Sequence, residues 1–217
     1  MQPFVLQREL MVHQQLEKRG VADARVLTAM RLVPREHFVE PDYVDKAYAD
    51  ESVPMGEDQW VTQPYVVARM LEAAMIHPGD RVLEIGTGSG YMTACCSLLA
   101  QDVFTIERHE TLARLAEERL IRLEYQNAFV RHGDGVFGWP AIAPFDVILV
   151  PAAPAKLPYG LLDQLSLGGR LIIPVGPKSH QKLLRIVRKD RAEFEQQTLE
   201  TVYFVPLVPG VTYAQAA

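Results

Sequence analysis

The residues of this chain best suited to chemistry form a glycine-rich loop directly after an apolar run that ends in an acid. Glu84 stands two positions before Gly86, and Gly88 and Gly90 follow at every second position. Glycine lets a backbone take a positive φ and approach a ligand closely, and the next helix begins with free N–H groups. Dinucleotide enzymes space these glycines as G-x-G-x-x-G, so the third glycine comes one residue early here.

An acid beside so tight a loop suits a cationic or hydroxyl-bearing cofactor better than a pyrophosphate. S-adenosylmethionine has both properties and is the candidate that the spacing favours. Glu84 is placed either to orient the loop or to face the methionine ammonium. An NAD oxidoreductase is disfavoured by the spacing and by the lack of evident hydride-transfer partner residues.

Two further acids follow later strands and fit the same ligand. Glu107 ends the next predicted strand, at the interval expected of a carboxylate that accepts from both ribose hydroxyls. Asp134 lies between Gly133 and Gly135, so it is expected to accept from the adenine amine. NAD would use Glu107 in the same way, so this residue alone does not choose the cofactor. His109 is expected to be a surface histidine at a helix start rather than a base.

The segment after the fourth predicted strand narrows the group that is methylated. Pro151-Ala152-Ala153-Pro154 offers no amide or aromatic side chain to hold a planar amine, and it contains no reactive cysteine. Methylation of a nitrogen or carbon atom is therefore disfavoured, and methylation of an oxygen nucleophile is favoured.

Composition bounds the remaining classes. The 217 residues are 48% hydrophobic with a net charge of −5, which supports a real core and disfavours a nucleic-acid partner. The adjacent Cys95 and Cys96 are expected to pack in the core, and no metal site is predicted. No run is long enough to span a membrane, and no basic-then-apolar leader begins the chain. We expect a monomeric, cytoplasmic protein without a membrane or nucleic-acid partner.

The elements that must position these residues alternate between strand and helix. Near-continuous apolar strands predict an α/β fold with a parallel sheet covered by helices on both faces. Strands are predicted at 81–86, 103–107, 128–132, 145–150 and 170–175, followed by an antiparallel pair at 181–189 and 198–208. Helices are predicted at 6–19, 23–32, 65–75, 90–100, 109–124 and 158–166. Residues 1–64 are expected to pack helices and a substrate-side loop region on the core domain, 65–217.

Several segments together resemble the protein-L-isoaspartate (D-aspartate) O-methyltransferase family, from about Met11 to Val208. The glycine loop alone marks only a methyltransferase, whereas the segments ahead of it are more specific. These segments are Arg19-Gly20-Val21, Val33-Pro34-Arg35-Glu36-His37-Phe38-Val39, Ala47-Tyr48-Ala49-Asp50 and Gln59-Trp60-Val61-Thr62-Gln63-Pro64-Tyr65, and later His132-Gly133-Asp134-Gly135 and Gly138-Trp139. The resemblance implies a Rossmann-like class I methyltransferase with a seven-stranded sheet and an N-terminal helical extension.

The resemblance also implies an activity and a set of site residues. Enzymes of this family use S-adenosylmethionine to methylate the α-carboxyl of isoaspartyl residues in damaged proteins, and the ester then collapses to a succinimide. By resemblance Thr62 is the catalytic residue. The cofactor residues would be Val61, Gln63, Glu84, Gly86, Thr87, Gly88, Ser89, Gly90, Glu107, Asp134, Gly135 and Gln181, and the substrate residues would be Tyr48, Asp50, Trp60, Val61 and Pro151.

The chemistry requires little of the protein. A carboxylate is already ionised at neutral pH, so no strong base is needed. What remains is to align an oxygen with the methyl group and to exclude water, and the Thr62 hydroxyl can orient the carboxylate.

Five positions on the substrate side depart from the family pattern. The family commonly has Ser where Thr62 stands and a small residue where Trp60 stands, and Glu57-Asp58 and Pro151 are also unusual. Two alternatives therefore stay open: methylation of a different carboxylate, in a specific peptide or a small acid, and a cofactor-binding module without repair turnover.

Overall fold

Nine strands form the framework of the part of the chain that the structure describes. The computed structural model describes residues 3–214. A two-stranded ribbon precedes a seven-stranded sheet. The ribbon consists of β1 (Val53–Pro54) and β2 (Trp60–Val61); the sheet consists of β3 (Arg81–Ile85), β4 (Asp102–Glu107), β5 (Ala128–His132), β6 (Phe145–Leu149), β7 (Leu165–Val175), β8 (Gln181–Arg188) and β9 (Phe194–Val202).

The sheet is parallel over most of its width. Its order is β5-β4-β3-β6-β7-β8-β9, and the first five strands are mutually parallel. β8 and β9 are antiparallel and complete one edge. The predicted parallel sheet with a terminal antiparallel pair is therefore confirmed. The carboxyl ends of β3, β4 and β6 meet at one edge, where ligands of such sheets bind.

Among residues 3–214 there are six α-helices: α1 (Pro3–Met11), α2 (Ala24–Leu32), α3 (Pro64–Ala74), α4 (Tyr91–Ser97), α5 (Glu110–Arg122) and α6 (Tyr159–Leu162). Successive β3 residues point to opposite faces, and Val82 and Leu83 accordingly belong to different hydrophobic clusters. Helices α1 to α5 contribute to the cluster of Val82, and α6 contributes to that of Leu83. Cys95 and Cys96 are free and buried in α4, as predicted.

The N-terminal region packs directly on the sheet domain. One hydrophobic cluster contains buried side chains of both regions, from Met11 near the N-terminus to Val202 at the end of β9. Asp23 caps α2 at the start of the helix predicted at 23–32, since its carboxylate accepts from the backbone N–H groups of Arg25 and Val26. The irregular section before α3 contains two 3₁₀ turns and the ribbon β1–β2. The division at residue 64 stays a prediction.

Several predicted elements have the wrong extent. The strand predicted at 170–175 begins at Leu165, and the helix predicted at 90–100 ends at Ser97. The helix predicted at 158–166 ends at Leu162, because Leu165 already pairs with Phe145 as the first residue of β7. The strand predicted at 198–208 lies at 194–202; its edge position leaves most side chains exposed, so an apolar pattern did not mark its start. The first helix ends at Met11 and continues as a π-helical turn and a 3₁₀ turn to Arg19.

Candidate active site

A cavity of about 700 Å³ lies at the carboxyl edge of β3, β4 and β6. Its walls come from the glycine loop, the ribbon, the strand ends and the chain that follows β9. The predicted residues that line it are Trp60, Val61, Thr62, Glu84, Gly86, Thr87, Gly88, Ser89, Glu107, Gly135 and Pro151. The fold therefore brings eleven of the predicted site residues, from five separate segments, into one space.

The glycine loop forms the floor of this cavity. Gly86, Gly88 and Gly90 all have positive φ, of 102°, 54° and 89°. Gly88 is the most restricted, because a Cβ there would lie 2.8 Å from the methyl carbon of Met55. Met55 belongs to the ribbon hairpin, so the hairpin packs onto the loop at this point. The backbone of the loop is thus exposed to a ligand on one side and covered by a side chain on the other.

Glu107 links the end of β4 to the glycine loop. Its side chain is buried, and its two carboxylate oxygens accept hydrogen bonds from the backbone N–H groups of Gly88 and His109, each at 2.9 Å. Each carboxylate oxygen has a second acceptor direction, so the group can still accept from a ligand. Glu107 therefore both shapes the loop and faces the cavity.

Glu84 lies at the end of β3 and is also buried. The hydroxyls of Thr93 and Thr105 donate to its Oε2 atom, and the Thr87 hydroxyl lies 2.7 Å from that of Thr105. Burial raises the pKa of the Glu84 carboxyl to about 8, and the nearby charge of Glu107 adds to this rise. In the unliganded protein this carboxyl is therefore largely protonated at neutral pH, and a cationic group in the cavity would favour its ionised form.

The ribbon β1–β2 carries the substrate-side residues over the cavity. Its turn residues Glu57 and Asp58 have positive φ values of 51° and 54°, and Asp58 lines the cavity. Trp60 is 47% exposed at the rim. Thr62 follows β2 directly and lines the cavity, and its hydroxyl has no hydrogen-bond partner among residues 3–214.

Three predicted residues of the N-terminal region lie outside the cavity wall. The Tyr48 hydroxyl is buried against Arg8 and Glu36, and burial raises the pKa of Tyr48. Gln63 donates to the backbone and side chain of Asp50, and Asp50 also forms an ion pair with Arg19. Tyr48, Asp50 and Gln63 therefore make contacts that shape the segments around Thr62, without lining the cavity.

Three predicted cofactor residues also lie behind the wall. Gly90 packs against α5. The Asp134 oxygens accept from the N–H groups of Val136 and Gly210, and the Gln181 amide bonds both backbone polar groups of Phe204. Asp134 and Gln181 thus hold the chain that follows β9, and their contact with the cofactor stays a prediction.

The chain that follows β9 supplies a wall that the sequence did not predict. Residues 203–208 line the cavity, and the backbone pairs with Ala153 through Val205 and Leu207 at 2.8 Å and 2.9 Å. This segment was predicted as a strand, so its position over the sheet edge was missed. Ser52, Arg108 and Lys178 also line the cavity without having been singled out.

His109 differs from its prediction as a surface residue. It is 8% exposed and lines the cavity. Its Nδ1 atom lies 3.0 Å from the Thr212 hydroxyl and 3.5 Å from a carboxylate oxygen of Glu57. The chain beyond β9 and the ribbon turn both approach it, which explains its burial.

None of the helices in the described part of the chain is long and apolar enough to cross a membrane.

The family model and the two relatives compared with this chain carry the same activity in their names, that of a protein-L-isoaspartate O-methyltransferase. The profile of the protein-L-isoaspartate(D-aspartate) O-methyltransferase family matches residues 6–212. A protein-L-isoaspartate O-methyltransferase of Koribacter versatilis is 49% identical over 213 residues, which cover 98% of this chain and 96% of the relative. One of Vibrio cholerae is 48% identical over 195 residues, covering 90% and 93% of the two chains.

Solved structures agree over nearly the whole chain. A protein-L-isoaspartate O-methyltransferase structure from Plasmodium falciparum, in complex with S-adenosyl-L-homocysteine, has a TM-score of 0.82 and 26% identity and covers 93% of this chain and 98% of its own. A second protein-L-isoaspartate O-methyltransferase has a TM-score of 0.83 and 28% identity and covers 94% and 67%. The predicted Rossmann-like class I methyltransferase fold is thereby confirmed. With the family profile matching almost its full length, the chain belongs to the protein-L-isoaspartate(D-aspartate) O-methyltransferase family.

Proposed function

We propose that this protein transfers the methyl group of S-adenosylmethionine to the α-carboxylate of L-isoaspartyl residues in damaged proteins. The observation that carries the proposal is one cavity that joins the glycine loop, two buried acids and Thr62, whose hydroxyl has no partner within the described range 3–214. Family membership supports the same reaction.

The donor set of the cavity fits this cofactor. Glu107 would accept from the ribose hydroxyls, because both of its oxygens retain an acceptor direction beside their backbone bonds. Glu84 would face the ammonium group, which would favour its ionised form. The bound cofactor supplies a methyl group already activated on a sulfonium.

Thr62 is assigned the role of orienting the acceptor carboxylate. Its hydroxyl is free to donate, and an ionised carboxylate needs orientation rather than deprotonation. Trp60 and Pro151 line the same cavity, so we assign them to the acceptor side together with Val61. Their apolar surfaces would exclude water from the reacting oxygen.

The residues behind the wall receive indirect roles in this proposal. Gln181 and Asp134 would hold residues 203–208 and Gly210 against the site. Gln63, Asp50 and Tyr48 would support the segments that flank Thr62. The monomeric state, the cytoplasmic location and the absence of a nucleic-acid partner stay predictions of the sequence.

The decisive assay offers labelled S-adenosylmethionine with an isoaspartyl peptide and with its aspartyl twin. We expect methyl transfer only to the isoaspartyl peptide. Transfer to neither peptide, from protein that binds S-adenosylhomocysteine, would refute the repair function and favour another carboxylate or a module without turnover.

Thr62 variants test the assigned role within the same assay. Thr62→Ser keeps the hydroxyl and should retain activity or raise it, because serine is less restricted at χ1. Thr62→Val keeps the shape without the hydroxyl and should lower kcat by about tenfold, the loss of roughly one hydrogen bond. A fully active Thr62→Val variant would show that the hydroxyl has no orienting role.

A further inference from the structure

Arg35 is a fully buried cation whose position the established chemistry does not explain. It lies in the 3₁₀ turn after α2 and is 0% exposed. Among residues 3–214 no carboxylate forms a salt bridge with it, and its Nη1 atom has no hydrogen-bond partner. Burying an arginine without an anion is costly, so the residue is poorly placed for stability alone.

The guanidinium instead bonds main-chain carbonyls on two separate segments. Its Nε atom donates to the Ala47 carbonyl at 2.7 Å, and its Nη2 atom donates to the Thr62 carbonyl at 2.8 Å. The residue therefore ties the segment before the ribbon to the segment after it. Thr62 lines the cavity.

The same guanidinium also contacts the cofactor side of the site. Its central carbon lies 4.5 Å from the ring centroid of Tyr91, an attractive cation–π arrangement. Tyr91 is the first residue of α4, directly after the glycine loop, and it lines the cavity. The Tyr91 ring is in turn fixed by the edge of Phe38 at 5.7 Å.

We propose that Arg35 is a positioning residue that sets the Thr62 main chain at a fixed distance from α4 and the glycine loop. The planar guanidinium presents several donors in a rigid fork, so it can hold both carbonyls while its face lies on the tyrosine ring. The reacting carboxylate and the methyl donor belong to the two sides that Arg35 joins. This inference rests on the proposed function of Thr62.

The test compares Arg35→Lys and Arg35→Met with the native protein. A lysine keeps the positive charge but lacks the planar set of donors of the guanidinium. A methionine has neither the charge nor the donors. Misplacement by about 1 Å costs on the order of a hundredfold in rate, so kcat per bound S-adenosylhomocysteine site should fall roughly 10- to 100-fold. The loss should be greater for Met than for Lys, and the affinity for S-adenosylhomocysteine should stay within about threefold.

Arg170→Lys is the matched control. Arg170 is also buried and donates to the main-chain carbonyls of Ala74, Met75 and Asp146. Unlike Arg35 it also pairs with a carboxylate, that of Asp80, and it does not line the cavity. Its replacement should lower Tm and leave kcat per site unchanged. If the Arg35 variants likewise lose only stability, with native kcat per site, Arg35 has no positioning role.

A measurement that needs no acceptor separates this inference from the proposed function. With S-adenosylhomocysteine bound, amide hydrogen exchange in residues 60–63 should be faster in Arg35→Lys than in the native protein, and exchange in residues 85–90 should change little. Equal exchange at residues 60–63 would overturn the inference even where the native protein methylates isoaspartyl peptides. Faster exchange there would support it even where the acceptor is another carboxylate.

Discussion

Replacement of Glu107 by glutamine separates the two roles that the structure gives this carboxylate. Its oxygens accept from the backbone N–H groups of Gly88 and His109. A glutamine keeps one acceptor but turns an NH₂ group toward the other N–H donor. One hydrogen bond to a charged acceptor is lost, which costs about 2 kcal/mol in the unfolding free energy. For a chain of this size, Tm should fall by about 4–8 °C.

The same change should weaken cofactor binding by a comparable amount. An amide cannot accept from both ribose hydroxyls, so roughly 2 kcal/mol is lost, which is about 30-fold in Kd. Calorimetric titration with S-adenosylhomocysteine measures this loss of affinity. Thermal unfolding without ligand measures the fall in Tm.

Glu118→Gln is the control, since its side chain is 59% exposed on α5. It should change neither Tm nor Kd appreciably. A lower Tm of Glu107→Gln with an unchanged Kd would refute contact between Glu107 and the cofactor. An unchanged Tm would refute the role of Glu107 in shaping the glycine loop.

Two further substitutions test the loop and the second acid. Gly88→Ala should lower Tm and weaken S-adenosylhomocysteine binding, because alanine at φ 54° costs about 1–2 kcal/mol and its Cβ would displace the Met55 methyl group. A native Tm together with a native Kd would contradict the close contact between Gly88 and Met55. The pKa of Glu84 is raised from 4.5 to about 8, so its contribution to stability is full below about pH 4.5 and is lost as the pH rises through about 8. The Tm of the unliganded native protein should therefore fall more steeply between about pH 5 and 8.5 than that of Glu84→Gln, and parallel curves would argue against a protonated Glu84.

Much of the fold could be predicted because its information is local. The apolar runs of β3 and β6 and the cap at Asp23 depend on neighbouring residues, and the structure confirms them. The start of β7 and the extent of β9 were missed, because each depends on pairing with a distant strand.

In the candidate site, too, the residues whose positions follow from the local sequence were predicted, and contacts between distant segments were not. Glu84, Glu107 and the glycine loop were predicted to converge, because parallel strands bring their carboxyl ends to one edge. Gln181 and Asp134 were predicted to bind the cofactor, but the sequence did not reveal that their polar atoms hold Phe204 and Gly210. That result depends on where the chain beyond β9 runs.

The sequence by itself determined that this chain folds as a parallel α/β domain with a glycine loop and two strand-end acids, because spacing and periodicity act over a few residues. The tertiary structure alone decided what surrounds the acceptor. It buried Arg35 between Thr62 and Tyr91, and it laid residues 203–208 along the cavity. Contacts between segments far apart in the sequence make these arrangements, and no local pattern encodes them.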